Sequence, residues 1–77
     1  MHVHIEYPAP LHLPGTPSGS RVTLPAGTTL SGLLDHLGVE PRHQPHVAAF
    51  VNGERIRPPS VLKDGDRVVL QVPISGG

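Results

Sequence analysis

The chain ends Pro73-Ile74-Ser75-Gly76-Gly77, and its most specific chemistry lies there. With glycine at about 7% of residues, a Gly-Gly ending arises by chance roughly once in 200 chains. Two glycines make a slim segment, because no Cβ blocks close approach of the backbone to the walls of a narrow channel. Gly77 carries the α-carboxylate, which is ionised at neutral pH and is a poor acyl donor. Adenylation would turn it into a mixed anhydride with a good leaving group, open to a sulfur or nitrogen nucleophile. The plainer account of the same residues is a frayed terminus, which most domains have.

Other candidate chemistry is weaker. Of the six histidines, His2 and His4 alternate on the outer face of a predicted strand, and His43 and His46 flank a loop. A native metal site asks for three or four convergent ligands with supporting hydrogen bonds. These histidines are scattered, with no cysteine and few nearby carboxylates, so no metal site is expected. Asp64-Gly65-Asp66 is too short and lacks the spaced ligands of a calcium loop, and reads as a turn. Ser60 and Ser75 have no histidine–acid context that would make a nucleophile. Without a convergent acid–base pair or a cofactor motif, the chain is not expected to be an enzyme.

The elements that must carry the tail can be read from period and punctuation. Val3, Ile5 and Tyr7 alternate with His2, His4 and Glu6, a strand with one buried face that Pro8 and Pro10 end. Residues 12–20 are turn formers and read as a loop, and Arg21 to Leu24 as a second strand. Thr28 or Thr29 caps a helix whose stripe is Leu30, Leu33, Leu34 and Leu37, with Gly38 ending it. Residues 40–45 read as a loop and His46 to Asn52 as a central strand. Asn52-Gly53 turns that strand back into Glu54 to Arg57, which Pro58-Pro59 stops. Val61 and Leu62 are expected to pack beneath the Lys63–Asp66 turn, and Arg67 to Val72 is the last strand.

The order strand, strand, helix, strand, strand, strand suits a mixed sheet of four to five strands with one amphipathic helix across one face. That is an α+β chain of the β-grasp, ubiquitin-like kind. Residues 1–72 form the domain, and 73–77 are expected to be a flexible tail.

Composition narrows the partners. At 77 residues there is room for one small domain, and a deep cleft between lobes is not expected. Ten prolines and nine glycines make up about a quarter of the chain, which reads as a folded domain with proline-rich connections. The absence of cysteine removes disulfides, thiolate zinc sites and cysteine nucleophiles. Six acids against six bases leave no basic footprint for direct nucleic-acid binding. The longest apolar run is five residues, Val47 to Val51, far short of a membrane span. No leader pattern precedes the first strand, so a cytoplasmic location is expected.

Three segments together resemble a known family: Val51-Asn52-Gly53-Glu54, Leu62-Lys63-Asp64-Gly65-Asp66-Arg67-Val68, and Pro73-Ile74-Ser75-Gly76-Gly77. They are similar to the ubiquitin-like sulfur carriers, which include the ThiS and MoaD proteins of thiamine and molybdopterin biosynthesis. Leu24-Pro25-Ala26-Gly27-Thr28-Thr29-Leu30, followed by Leu33-Leu34, resembles the family's turn into its helix. The resemblance implies a carrier that catalyses nothing itself. An activating enzyme, which binds the ATP, adenylates Gly77; a sulfur donor makes the thiocarboxylate; and an acceptor enzyme takes the sulfur. That acceptor is a molybdopterin synthase large subunit, a thiazole synthase or a tRNA thiolase. Gly77 carries the chemistry and Gly76 the narrow passage, and the chain itself holds no cofactor. Pro8-Ala9 and Gln71 depart from the molybdopterin branch, which commonly has an aromatic before the alanine and an apolar contact at the second place.

Such a carrier must dock its partners. If Val47, Ala49 and Val51 face the helix, Phe50 lies on the open face of the sheet, where an aromatic can anchor a partner. Val69 and Gln71 extend that patch, Arg55 (with Arg57 and Arg67) steers docking, and Pro73 and Ile74 lead from it into the tail. Two other functions use the same residues. A protein modifier would join Gly77 to lysines of other proteins, and a plain interaction domain would do without Gly76 and Gly77.

Overall fold

Strict alternation in a short strand buries one face and exposes the other, and the first strand of the chain does this. In the computed structural model, which describes residues 1–8, 11 and 13–72, Val3 and Ile5 are fully buried while His2 and His4 are exposed. They belong to β1 (His2–Glu6). The other strands are β2 (Ser20–Thr23), β3 (Ala48–Val51), β4 (Glu54–Ile56) and β5 (Arg67–Gln71). Among the described residues they form one mixed sheet in the order β2-β1-β5-β3-β4. β1 and β5 are parallel neighbours, and the remaining pairs are antiparallel.

The helix α1 (Leu30–His36) covers one face of the sheet. Its N-cap is Thr29, whose hydroxyl accepts from the Gly32 amide at 3.1 Å. At the other end Gly38 takes a φ of +81°, a left-handed conformation that side chains resist. The Gly38 amide then donates to the Asp35 carbonyl and the Val39 amide to the Leu34 carbonyl, which satisfies two carbonyls that the helix leaves open. Seven residues are too few to hold a helix by propensity. Leu30, Leu33, Leu34 and Leu37 are buried against Val3, Ile5, Val22, Ala49, Val68 and Leu70, and this packing is what stabilises it.

The expected β-grasp fold is therefore present, with all five strands. Three readings need correction. The central strand does not begin at His46: Gln44–His46 is a turn of 3₁₀-helix, and β3 begins at Ala48. Pro45 sits in the first turn of that short helix, where its missing N–H costs nothing. Leu62 is buried in the core, but Val61 is 59% exposed; it bridges to Thr29 through its backbone and turns its side chain outward. The third concerns the 12–20 loop. Leu13 lies inside it, yet is buried in the core, and Leu11 packs beside it.

Tyr7 explains how a loop rich in proline and glycine can hold a core residue. Its hydroxyl donates to the Thr16 carbonyl at 2.6 Å and accepts from the Leu13 amide at 3.4 Å. Its own amide donates to the Ser18 hydroxyl at 2.9 Å. Tyr7→Phe keeps the ring and loses the hydroxyl's bonds, so it should cost about 1 kcal/mol. A thermal midpoint lower by about 4–8 °C, with cleavage of the 13–18 segment at lower protease concentration, checks this.

Candidate functional site

The face of the sheet away from α1 is built in rows across the strands. Register sets Phe50 of β3 opposite Val69 of β5 on one side and Arg55 of β4 on the other. Glu6 of β1 stands beside Val69, which completes the row Glu6, Val69, Phe50, Arg55. Ala48 pairs with Gln71 in the next row towards the end of β5. Phe50, Ala48 and Val69 are half-buried, and Gln71 and Arg55 are exposed. The sequence-predicted residues Phe50, Val69, Gln71 and Arg55 are thus brought together on one surface, an apolar centre with a polar rim.

Ala48 and Glu6 were not read from the sequence as part of it. Alternation along a strand gives the face of each residue, but the register that brings β1 beside β5 is a long-range property. Glu6 also changes the role of a predicted cation. Arg67 Nε lies 3.2 Å from Glu6 Oε2, so its charge is partly answered within the face. Arg55 and Arg57 have no acidic partner among the described residues, and neither does Arg21, which stands beside His4 on the same face.

β5 lies in the middle of the sheet and runs directly into the tail. Pro73, Ile74, Gly76 and Gly77 lie outside the described residues, so the geometry here ends at Val72. Val72 borders a groove of about 420 Å³, together with Leu13, Leu37, Val47, His43 and His46. At the opposite end of β5 stands the turn Lys63–Asp66. Asp66 returns its amide to the Lys63 carbonyl at 3.1 Å, and its carboxylate accepts from the Lys63 amide at 2.8 Å. The turn is fastened to the start of β1: the Gly65 amide donates to the His2 carbonyl and the His4 amide to the Asp66 carbonyl.

Among the described residues no three His, Asp or Glu side chains converge as a metal site would require. His2 Nδ1 lies 3.0 Å from the Thr23 hydroxyl, and His43 Nδ1 lies 3.9 Å from Glu40, each a local surface contact. Among the described residues no helix is long and apolar enough to cross a membrane.

Comparison with known proteins agrees with this architecture. No curated protein sequence matches the chain significantly. Among solved structures it is similar to SAMP1 from Haloferax volcanii, at 22% identity over all of both chains with a TM-score of 0.76. It is also similar to a Pyrococcus furiosus protein provisionally named molybdopterin converting factor, subunit 1, at 21% identity over 95% of this chain and 98% of that one (TM-score 0.75). The thiamine biosynthesis protein ThiS of Geobacter metallireducens matches at 22% identity over all of both chains, with a TM-score of 0.67. At such identities these structures establish the ubiquitin-like β-grasp fold. The ThiS family model matches residues 6–77, from the end of β1 to the terminal Gly-Gly, and the chain belongs to the ThiS family.

Proposed function

We propose that the protein is a sulfur carrier, activated at Gly77 and docked through the open face of its sheet. The observation that carries this reading is the family match, which runs to Gly76 and Gly77 at the end of the chain. In this reading the Gly77 carboxylate attacks the α-phosphate of ATP on an activating enzyme, and pyrophosphate leaves. Sulfide-level sulfur released by a donor then attacks the Gly77 carbonyl carbon and AMP leaves, which gives the thiocarboxylate that passes its sulfur to an acceptor enzyme of molybdopterin or thiamine synthesis or of tRNA thiolation. The chain supplies no catalytic group and holds no cofactor; ATP belongs to the activating enzyme. Phe50, Val69, Gln71 and Arg55 bind the partner, and Pro73 and Ile74 lead the chain from that surface into the partner's channel.

The position of β5 supports the assignment. One strand presents Val69 and Gln71 on the docking face and continues into the tail, so a partner gripping that face holds the tail in a defined direction. Rigid positioning of a reacting end lowers the entropy cost of the reaction it undergoes.

A second reading takes its support from the similarity to small archaeal modifier protein 1 of H. volcanii, at 22% identity with a TM-score of 0.73. In it the same activated Gly77 is joined to lysine amines of other proteins. One experiment separates the two. The intact mass is followed after incubation with host soluble extract, ATP and cysteine, beside a form lacking Gly77. Exchange of one terminal oxygen for sulfur, absent from the shortened form, is the result expected of the carrier. ATP-dependent adducts of larger mass, with the free protein unchanged, would make it a modifier. No change of either kind, with a control carrier activated in the same extract, would reduce the chain to an interaction domain.

A further inference from the structure

The side chains of the chain are neutral in sum, six acids against six bases, but the sheet divides them unevenly. Alternation and register put Arg21, Arg55 and Arg67 on the open face, in rows with His4 and Phe50. Among the described residues Glu6 is the one acid the strands place there. Glu54 pairs with Val51, in the row of the buried Val68, and belongs to the helix side. The remaining acids lie on α1, in the loop after it and in the Lys63–Asp66 turn. Off the open face, five acids therefore stand against three bases. A neutral chain has a cationic face and an anionic remainder.

Within the face the positive charge is gathered at one end. Register sets Arg21 of β2 and Arg67 of β5 on either side of His4 of β1. All three are exposed. With strands about 4.8 Å apart, the two arginines stand about 10 Å from each other with an imidazole between them. Glu6 answers Arg67 at 3.2 Å, but Arg21 has no acidic partner among the described residues. The carboxylates of the neighbouring turn are held by backbone amides: Asp64 accepts from His2 at 2.7 Å and Asp66 from Lys63 at 2.8 Å. Like charges side by side on a sheet are mildly destabilising, and an anion from outside would relieve that. The row also adjoins the apolar centre. Val69 follows two residues after Arg67 on the same face, about 7 Å along β5, and Phe50 stands beside it.

We propose that the row of Arg21, His4 and Arg67 seats an acidic segment of the partner protein, one of whose apolar side chains covers Val69 and Phe50. The proposal rests on the reading that the open face is a docking face, and it names the chemistry of what docks. Opposite charges orient the two proteins as they approach and raise the association rate. The anionic remainder of the molecule repels the same partner from the helix side, so the charge division selects the face as well as the partner.

The test needs neither ATP nor an activating enzyme. The probe is a short peptide, blocked at both ends, with two glutamates on each side of a central leucine. It is titrated into isotope-labelled protein at low salt, and backbone amide shifts are followed. Shifts should gather at Arg21, His4, Arg67, Val69 and Phe50 and weaken as salt is added. The same peptide with lysines in place of the glutamates should produce none of them. Arg21→Glu should weaken binding about fivefold, and Arg21→Gln by less. Arg42→Glu makes the same change in net charge on an exposed arginine that pairs with Glu40 away from the face, and should stay within about twofold of wild type. Because Arg21 is exposed on an edge strand, both of its variants should keep the dispersed spectrum of the wild type.

An absence of shifts, or shifts centred away from the row, would overturn the proposal. So would equal losses in Arg21→Glu and Arg42→Glu, since net charge alone would then explain the binding. A short single-stranded RNA that moved the same amides at lower concentration than the peptide would overturn it too, by making the row a nucleic-acid surface. None of these outcomes involves Gly77, so the acidic-segment site can fail while the carrier reading stands, and can hold if the tail is never activated.

Discussion

Phe50→Asp is expected to slow ATP-dependent loading of Gly77 about 30-fold at limiting carrier concentration, with the fold intact. Phe50 lies at the centre of the open face, between Val69 on β5 and Arg55 on β4. It is half-buried in the free protein, so a partner that closes over it removes its remaining surface from water. Central aromatics of this kind, when truncated, commonly cost about 2 kcal/mol or more of binding. That energy corresponds to about a 30-fold change in affinity. An aspartate adds a desolvated charge where the ring was, and so does more harm than alanine. The core lies on the other side of the sheet, so the thermal midpoint should move little. Arg55→Glu tests the rim separately, because exposed charges act mainly on association rate. Its defect should be smaller and should shrink as salt is added. The measurement is the initial rate of the mass change with a fixed amount of activating enzyme. Loading of Phe50→Asp at the wild-type rate would remove the open face from the docking surface.

Phe50, Val69 and Gln71 were legible as members of this face because alternation is a local signal. Val68 and Leu70 point inward and Val69 and Gln71 outward whatever β5 pairs with. The helix was legible for a related reason. Four leucines at helical spacing, a threonine before them and a glycine after them agree on the same boundaries. The Asn52-Gly53 turn shows the same agreement, with both residues at positive φ in the structure as a two-residue hairpin requires. The parallel pairing of β1 and β5 was not legible to the same degree. It joins strands about sixty residues apart in the chain, and nothing local in either one specifies the partner.

Local signals also misled where two of them overlap. From His46 onward the residues are apolar or β-branched enough to pass as strand, but Pro45 favours a tight helical turn and delays β3 to Ala48. The 12–20 segment has the composition of a solvated loop, and composition cannot show that Tyr7 reaches across to hold Thr16 and Leu13. Leu11 and Leu13, set between Pro10 and Pro14, were the available sign that part of this loop packs inward. The family was legible for a different reason: its motifs depend on residue type and order, and the family match extends to the terminal Gly-Gly.

Leu33→Ala should unfold a large fraction of the molecules at temperatures the wild type tolerates. Leu33 is fully buried at the centre of a helix of only seven residues. Alanine is a better helix former than leucine, so any loss of stability is due to packing rather than to the helix backbone. Removing a buried leucine side chain costs about 2–5 kcal/mol, through lost burial and the cavity left behind. A domain of this size has about 4–12 kcal/mol of stability in total. Each kcal/mol is worth about 4–8 °C of midpoint in a 60–100-residue domain, so a loss of about 3 kcal/mol lowers it by about 12–24 °C. Leu33→Met keeps the volume and should cost less than about 1.5 kcal/mol. Val61→Ala removes an equally apolar but exposed side chain and should stay within about 0.5 kcal/mol of wild type. Thermal or urea unfolding of the three variants side by side checks the ordering. Were Val61→Ala as damaging as Leu33→Ala, the assignment of Leu33 to the core and Val61 to the surface would fail, and with it the placement of α1 on the sheet.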